Sequence, residues 1–253
     1  MVFKSQLARL RRHVRERQLP RAFVLRELDS AGVTFEAVTL AERNRITTYG
    51  YELEYLRAMM DALRADDVLY DVGANIGLVA LHAAHRCRTV AFEPDPGFFA
   101  RLTRNAQLNP KVAVELLFAA ITDRSGTVTL YTDGTGRNSP SLKQQRGEKH
   151  AVEVTGHTLD QLATRGTLPV PTVIKLDIEG AEVLALRGAR HLLNGPDAPR
   201  LLFLEVHDTY LPAFNSSADE VLGIVRSAGY STARYEAKRY EQQHLILARN
   251  GSA

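Results

Sequence analysis

The stretch Leu69-Tyr70-Asp71-Val72-Gly73-Ala74-Asn75-Ile76-Gly77 runs from an apolar strand through a glycine turn into a helical pattern. Without a Cβ, Gly73 lets the backbone turn sharply and approach a ligand, while Gly77 lets the first helical turn pack closely on the strand. Twenty residues past Gly73, Val90-Ala91-Phe92-Glu93-Pro94 forms a second apolar run that ends in a carboxylate. An acid at that place, about 20 residues beyond the glycines, is positioned to accept both ribose hydroxyls of an adenosine.

Which adenosine ligand follows from what is missing. A dinucleotide fold reads G-x-G-x-x-G, with amides aimed at a pyrophosphate, whereas the spacing here is G-x-x-x-G and Asp71 stands at the strand end. A carboxylate there repels a phosphate and suits a cation, such as the ammonium on the methionine half of S-adenosylmethionine. S-adenosylmethionine is therefore expected in preference to NAD or a nucleotide. An ordinary βαβ turn whose glycines serve geometry alone is the competing reading, and Glu93 at the matching distance counts against it.

The chain of 253 residues, 45% hydrophobic, is long enough for one sizeable α/β domain with an appendage. A single cysteine, Cys87, excludes an internal disulfide, and the eight histidines fall into no zinc-ligand spacing. No apolar run reaches the roughly 18 residues of a membrane span and the N-terminus lacks an apolar signal core, so a cytoplasmic location is expected. The formal charge of +3 hides an asymmetry: Lys4, Arg9, Arg11, Arg12, Arg15, Arg17, Arg21 and Arg26 face only Glu16 in the first 26 residues. With Leu7, Leu10, Val14 and Gln18 at helical spacing, this arm reads as a basic amphipathic helix. It suits contact with an anionic membrane surface, with nucleic acid less favoured, or it is a plain solvated face.

Residues 1 to about 65 read as a mostly helical cap: Phe23, Val24, Leu25 and Leu28 are apolar, and Leu53, Leu56, Met59, Met60 and Leu63 recur at helical spacing. A short strand or hairpin arm is expected near Gly32–Val38. From Asp66 to Ala253 strands and helices alternate as in a parallel sheet covered on both faces, and helix is expected over 180–193. Gly126–Tyr131 and Ala151–Val154 read as an inserted hairpin. The polar segment 132–150 between them is expected to be a mobile loop closing over a ligand. The chain should end in an antiparallel strand pair.

Ligands in open α/β sheets bind beyond the carboxyl ends of the strands. Two later strand ends carry chemistry, Lys175-Leu176-Asp177-Ile178-Glu179-Gly180-Ala181-Glu182 and Leu204-Glu205-Val206-His207-Asp208. Alternation puts Lys175, Asp177 and Glu179 on one side. Asp177 or Glu179 could instead cap the following helix. His207 can be neutral near pH 7, which fits a general base, and equally fits a hydrogen-bonded structural role.

Together with Phe92-Glu93-Pro94-Asp95-Pro96, Gly126-Thr127-Val128-Thr129-Leu130 and Thr158-Leu159-Asp160, these motifs resemble, in order and over roughly residues 66 to 210, the FkbM family of S-adenosylmethionine-dependent methyltransferases. The resemblance implies a class I, Rossmann-like methyltransferase sheet of seven strands, mostly parallel with the last antiparallel. It also implies methyl transfer to a hydroxyl on a sugar, glycan or polyketide. It assigns the cofactor to Asp71, Gly73, Asn75, Gly77, Glu93 and Pro94, with Ala119 and Ala120 at the adenine edge.

Methyl transfer from a sulfonium depends chiefly on positioning, with a base to take the hydroxyl proton. Asp177 or His207 is expected in that role, with Lys175 orienting the acceptor or keeping Asp177 ionised. A less favoured variant binds Mg²⁺ through Asp177, Glu179 and Asp208. Two other classes compete: an NAD-dependent oxidoreductase, and a non-catalytic cofactor-binding protein docked on membrane or RNA by its basic arm. The acceptor and the oligomeric state are not written in these motifs.

Overall fold

The computed structural model describes residues 22–38, 40–49, 52–133, 139–145, 150–239 and 242–251. The chain enters through a hairpin, β1 (Ala22–Leu25) and β2 (Val33–Glu36), followed by helices α1 (Leu40–Thr47) and α2 (Leu53–Ala62). The helix expected around Phe23–Leu28 is thus a strand and a turn. Ala31 N donates to Asp29 Oδ1 and Gly32 takes φ +78°, which reverses the chain and pairs Phe23 with Phe35. A contiguous apolar run cannot by itself tell a short strand from a helix, and here the Asp29–Gly32 turn decides. Most of the basic arm lies outside the described residues.

The outer edge of β2 is satisfied by side chains. Asn109 accepts from Thr34 N and donates to Thr34 O, both at 2.8 Å, and Asn105 Oδ1 accepts from Glu36 N at 3.0 Å. The edge amides are therefore paired without another strand. Asn105 Nδ2 also donates to Ile76 O at 2.9 Å, tying the hairpin to the glycine turn.

Next come β3 (Val68–Val72), α3 (Leu78–Ala83), β4 (Arg88–Phe92), α4 (Pro96–Gln107), β5 (Val114–Leu117), β6 (Ala120–Ile121), β7 (Gly126–Thr132) and β8 (His150–His157). They are followed by α5 (Leu159–Thr164), β9 (Val173–Leu176), α6 (Glu182–Arg187), α7 (Arg190–Asn194), β10 (Leu201–His207), α8 (Ala218–Ser227), β11 (Tyr230–Arg239) and β12 (Gln242–Arg249). The main sheet has the order β11-β12-β10-β9-β3-β4-β5; β12 is antiparallel to both neighbours and the remaining pairs are parallel. This is the expected class I methyltransferase sheet. The inserted hairpin β7–β8 gains β6 as a parallel third strand.

The single helix expected over 180–193 is broken in two. A Cβ on Gly188 would sit 2.2 Å from the Thr122 carbonyl oxygen, and Asp160 accepts from the amides of His191 and Leu192, starting a new helix there. One apolar cluster joins Phe35, Tyr49, Tyr55, Leu56 and Met59 to Leu69, Phe203 and Ile246 of the sheet, so the core runs across position 65. Tyr55 Oη adds a hydrogen bond to Leu245 O at 3.2 Å. No helix among the described residues is long and apolar enough to cross a membrane.

Candidate active site

Reversal of strand order between β3 and β9 opens the sheet beside the Gly73 turn, and two adjoining cavities lie at that end. In the first, Gly73, Asn75, Glu93, Pro94, Ala119 and Ala120 line the wall. The second lies under the cap and is lined by Tyr49, Glu52 and Leu56 together with Lys175, Glu205 and His207. Asp177, Glu179, Gly73, Asn75 and Ser139 border both.

Backbone geometry builds the first cavity. Gly73 has φ +82°, and a Cβ there would lie 2.0 Å from the Asp177 carbonyl oxygen, so the ends of β3 and β9 can meet only with glycine. The amides of Gly73 and Ala74 both donate to Phe92 O at 3.0 Å. Glu93 is buried; its Oε2 accepts from Asn75 N and its Oε1 from Asp95 N, each at 2.8 Å. Burial pushes its carboxyl up to about 8 against the lowering effect of those two amides.

Two of the residues expected at the cofactor, Asp71 and Gly77, line neither cavity. Asp71 is fully buried, borders neither cavity, and is neutralised by Lys175 Nζ 3.2 Å from Oδ1. The pairing follows from register, since Asp71 and Lys175 are opposite one another on β3 and β9. Gly77 also borders neither cavity: it starts α3 in the left-handed conformation, and a Cβ would meet Leu102 Cδ1 of α4 at 2.7 Å.

Lys175, Asp177, Glu179 and His207 do converge. Besides Asp71, Lys175 Nζ lies 3.2 Å from Asp177 Oδ2 and donates to Gly73 O at 3.1 Å. Burial lowers the affinity of this ammonium for its proton, but Asp71, Asp177 and Glu205 outweigh that and hold it charged. His207 Nε2 stands 3.7 Å from Asp177 Oδ1 and 3.8 Å from Glu179 Oε2, while Nδ1 donates to Glu182 Oε1 at 2.8 Å. Burial alone would lower the imidazole pKa, yet the Glu182 hydrogen bond and the charges of Glu182, Glu179 and Asp177 push it up to about 10. These surroundings favour the charged imidazolium over the neutral ring expected from sequence. The Asp177 side chain, 30% exposed, is the reachable carboxylate between the two cations.

Neither Asp177 nor Glu179 caps α6, which begins after Ala181 without a side-chain cap. Of the three residues in the alternative Mg²⁺ set, Asp177 and Glu179 border both cavities. Asp208 accepts from Gln243 Nε2 at 2.9 Å and borders neither cavity. Among the described residues the donor groups that do approach within 4.8 Å of one another are Asp177 with Glu205 and His207, and Glu52 with Glu205 and His244. Glu52, Glu205 and His244 were not singled out by sequence reasoning. Glu205 and His244 face each other across β10 and β12, a pairing legible only once the register is known.

The described part of the 132–150 loop lies on the same wall. Ser141 pairs with Tyr131 through two backbone bonds, and Ser141 Oγ and Gln145 Nε2 donate to Glu179 O at 3.1 and 2.9 Å. Residues 134–138 and 146–149 lie outside the described residues.

The methyltransferase FkbM domain model matches residues 71–232. Hexuronic acid methyltransferase AglP of Haloferax volcanii is 28% identical over 187 residues, 74% of this chain and 75% of that protein. The 31-O-demethyl-FK506 methyltransferase FkbM of Streptomyces tacrolimicus is 31% identical over 232 residues, 77% of this chain and 85% of that one. Among solved structures, magnesium protoporphyrin IX methyltransferase from Synechocystis PCC 6803 with bound SAM has a TM-score of 0.50 at 12% identity, covering 85% of this chain and 86% of that one. It shares the fold. The oxidoreductase reading is set aside by these matches. The chain belongs to the FkbM family of methyltransferases.

Proposed function

We propose that the protein transfers the methyl group of S-adenosylmethionine to a hydroxyl of a sugar, glycan or polyketide-type acceptor. The first cavity takes the cofactor and the second takes the acceptor. The observation that carries this is the shared border: Asp177 faces both cavities, between Lys175 and His207. The first cavity fits the cofactor by its donor set. It offers a buried carboxylate for ribose hydroxyls in Glu93, small apolar surfaces for a flat base in Pro94, Ala119 and Ala120, and backbone free of a Cβ at Gly73. The names of the two relatives, a hexuronic acid methyltransferase and a 31-O-demethyl-FK506 methyltransferase, support an oxygen acceptor.

The cofactor supplies a methyl group on a cationic sulfur that leaves as a neutral thioether. Asp177 accepts the hydroxyl proton as the acceptor oxygen gains the methyl carbon. Lys175 keeps Asp177 anionic and locks the Gly73 carbonyl, so the turn and the proton acceptor move as one body. Tyr49, Glu52 and Leu56 exclude water from above the junction and set which acceptor fits.

The test is incorporation of isotope from methyl-labelled S-adenosylmethionine into a panel of hexuronic acid glycosides, neutral glycosides and O-demethyl macrolides. Label in an ether stable to alkali is the expected result. Label in an alkali-labile ester would replace the hydroxyl with a carboxylate acceptor, and label transfer to nitrogen or carbon would overturn the reading.

A further inference from the structure

Glu182 opens α6 and is fully buried, and a carboxylate enclosed in this way needs compensation. Its Oε1 faces three donors: the amides of Ile178 and Gly180 at 3.3 and 3.1 Å, and His207 Nδ1 at 2.8 Å. The two amides stitch a turn in which Glu179 and Gly180 are consecutive left-handed residues, with φ of +52° and +92°. The third contact ties that turn to the end of β10. Tyr210 stacks on the imidazole with ring centroids 5.8 Å apart, while Glu182 holds Nδ1. Nδ1–H points to Glu182, and Nε2 points at Asp177 and Glu179.

We propose that Glu182 is a positioning residue for methyl transfer, acting through His207 to fix where Asp177 and Glu179 stand at the junction of the two cavities. A buried carboxylate on Nδ1 sets the tautomer and the direction of the ring and stabilises its charged form. At 3.7 and 3.8 Å the contacts from Nε2 are longer than hydrogen bonds, so His207 holds the two carboxylates by charge and can tighten onto either one. A Glu182 that served only the turn would matter equally with or without His207. A positioning Glu182 matters only while His207 is there. The inference rests on Asp177 as proton acceptor.

Glu182→Gln keeps the volume and an oxygen acceptor for the two amides while removing the charge. In proton NMR of the free protein, the hydrogen-bonded His207 Nδ1–H should give a downfield resonance, assigned by its absence in His207→Asn. We expect that resonance to persist in Asp177→Asn and to move upfield or vanish in Glu182→Gln. With the glycoside or macrolide labelled in the acceptor panel, Glu182→Gln should lower kcat at least about tenfold with the KM for S-adenosylmethionine within about twofold. Added to His207→Asn, it should change the rate less than about twofold. An unchanged resonance in Glu182→Gln, or equal rate losses with and without His207, overturns the proposal. A parent rate in Asp177→Asn overturns the proton-acceptor reading on which its catalytic purpose depends, while the resonance separately decides whether Glu182 orients His207.

Discussion

The two cavities that meet at Asp177 are built by opposite means. The first is framed by backbone over two short stretches, 73–75 and 93–95, where Gly73 and the amides of residues 73, 74, 75 and 95 set the turn and hold Glu93, and side chains such as Ala119, Ala120 and Leu142 complete its wall. The second is made by side chains drawn from the cap, β9, β10 and Gln242 of β12, residues up to 196 positions apart. The lesson is that a site of turns and amides is written locally, whereas a site of converging side chains exists only through strand register and the docking of the cap.

The largest effect is expected where the two regions meet. Asp177→Asn keeps the shape and removes the charge and the proton acceptor, so turnover should fall about 10² to 10⁴-fold with cofactor affinity changed far less. Steady-state kinetics paired with cofactor titration checks this split. A parallel loss in both would make Asp177 part of the cofactor cavity alone and break the comparison.

A smaller effect, on stability, should come from the turn itself. Gly73→Ala imposes a left-handed conformation on an L-residue and drives its Cβ against the Asp177 carbonyl oxygen. Together these should cost on the order of 3 kcal/mol. Denaturant unfolding measures it, and a loss below about 1 kcal/mol would show that the two strand ends can separate cheaply.

The legible parts of the sequence follow the same division. The glycine turn, Glu93 at the end of β4 and the meeting of Lys175, Asp177 and His207 all follow from strand ends in a doubly wound sheet. The partner of Asp71 is set by register and carries no local signal: Lys175 lies opposite it, with Nζ 3.2 Å from Oδ1. The partner of His207 is equally hidden, since its hydrogen bond goes to Glu182 across the turn. The second arm of the hairpin is legible near Gly32–Val38, whereas the first is hidden because Phe23, Val24 and Leu25 fit either secondary structure until the Asp29–Gly32 turn is weighed. Glu52 and His244 carry no local signature at all; each lies near Glu205 only through tertiary packing.

The most direct measurement is calorimetric titration of S-adenosylhomocysteine into the parent protein, Glu93→Ala and Glu52→Gln. Glu93 borders only the first cavity and Glu52 only the second. Removing Glu93 should weaken binding by about 1–3 kcal/mol, the scale of leaving buried ribose hydroxyls without their hydrogen-bond partner. Glu52→Gln should leave binding within about 0.5 kcal/mol of the parent. Full affinity in Glu93→Ala, or a loss in Glu52→Gln as large as that expected for Glu93→Ala, would contradict a site divided into a cofactor side and an acceptor side.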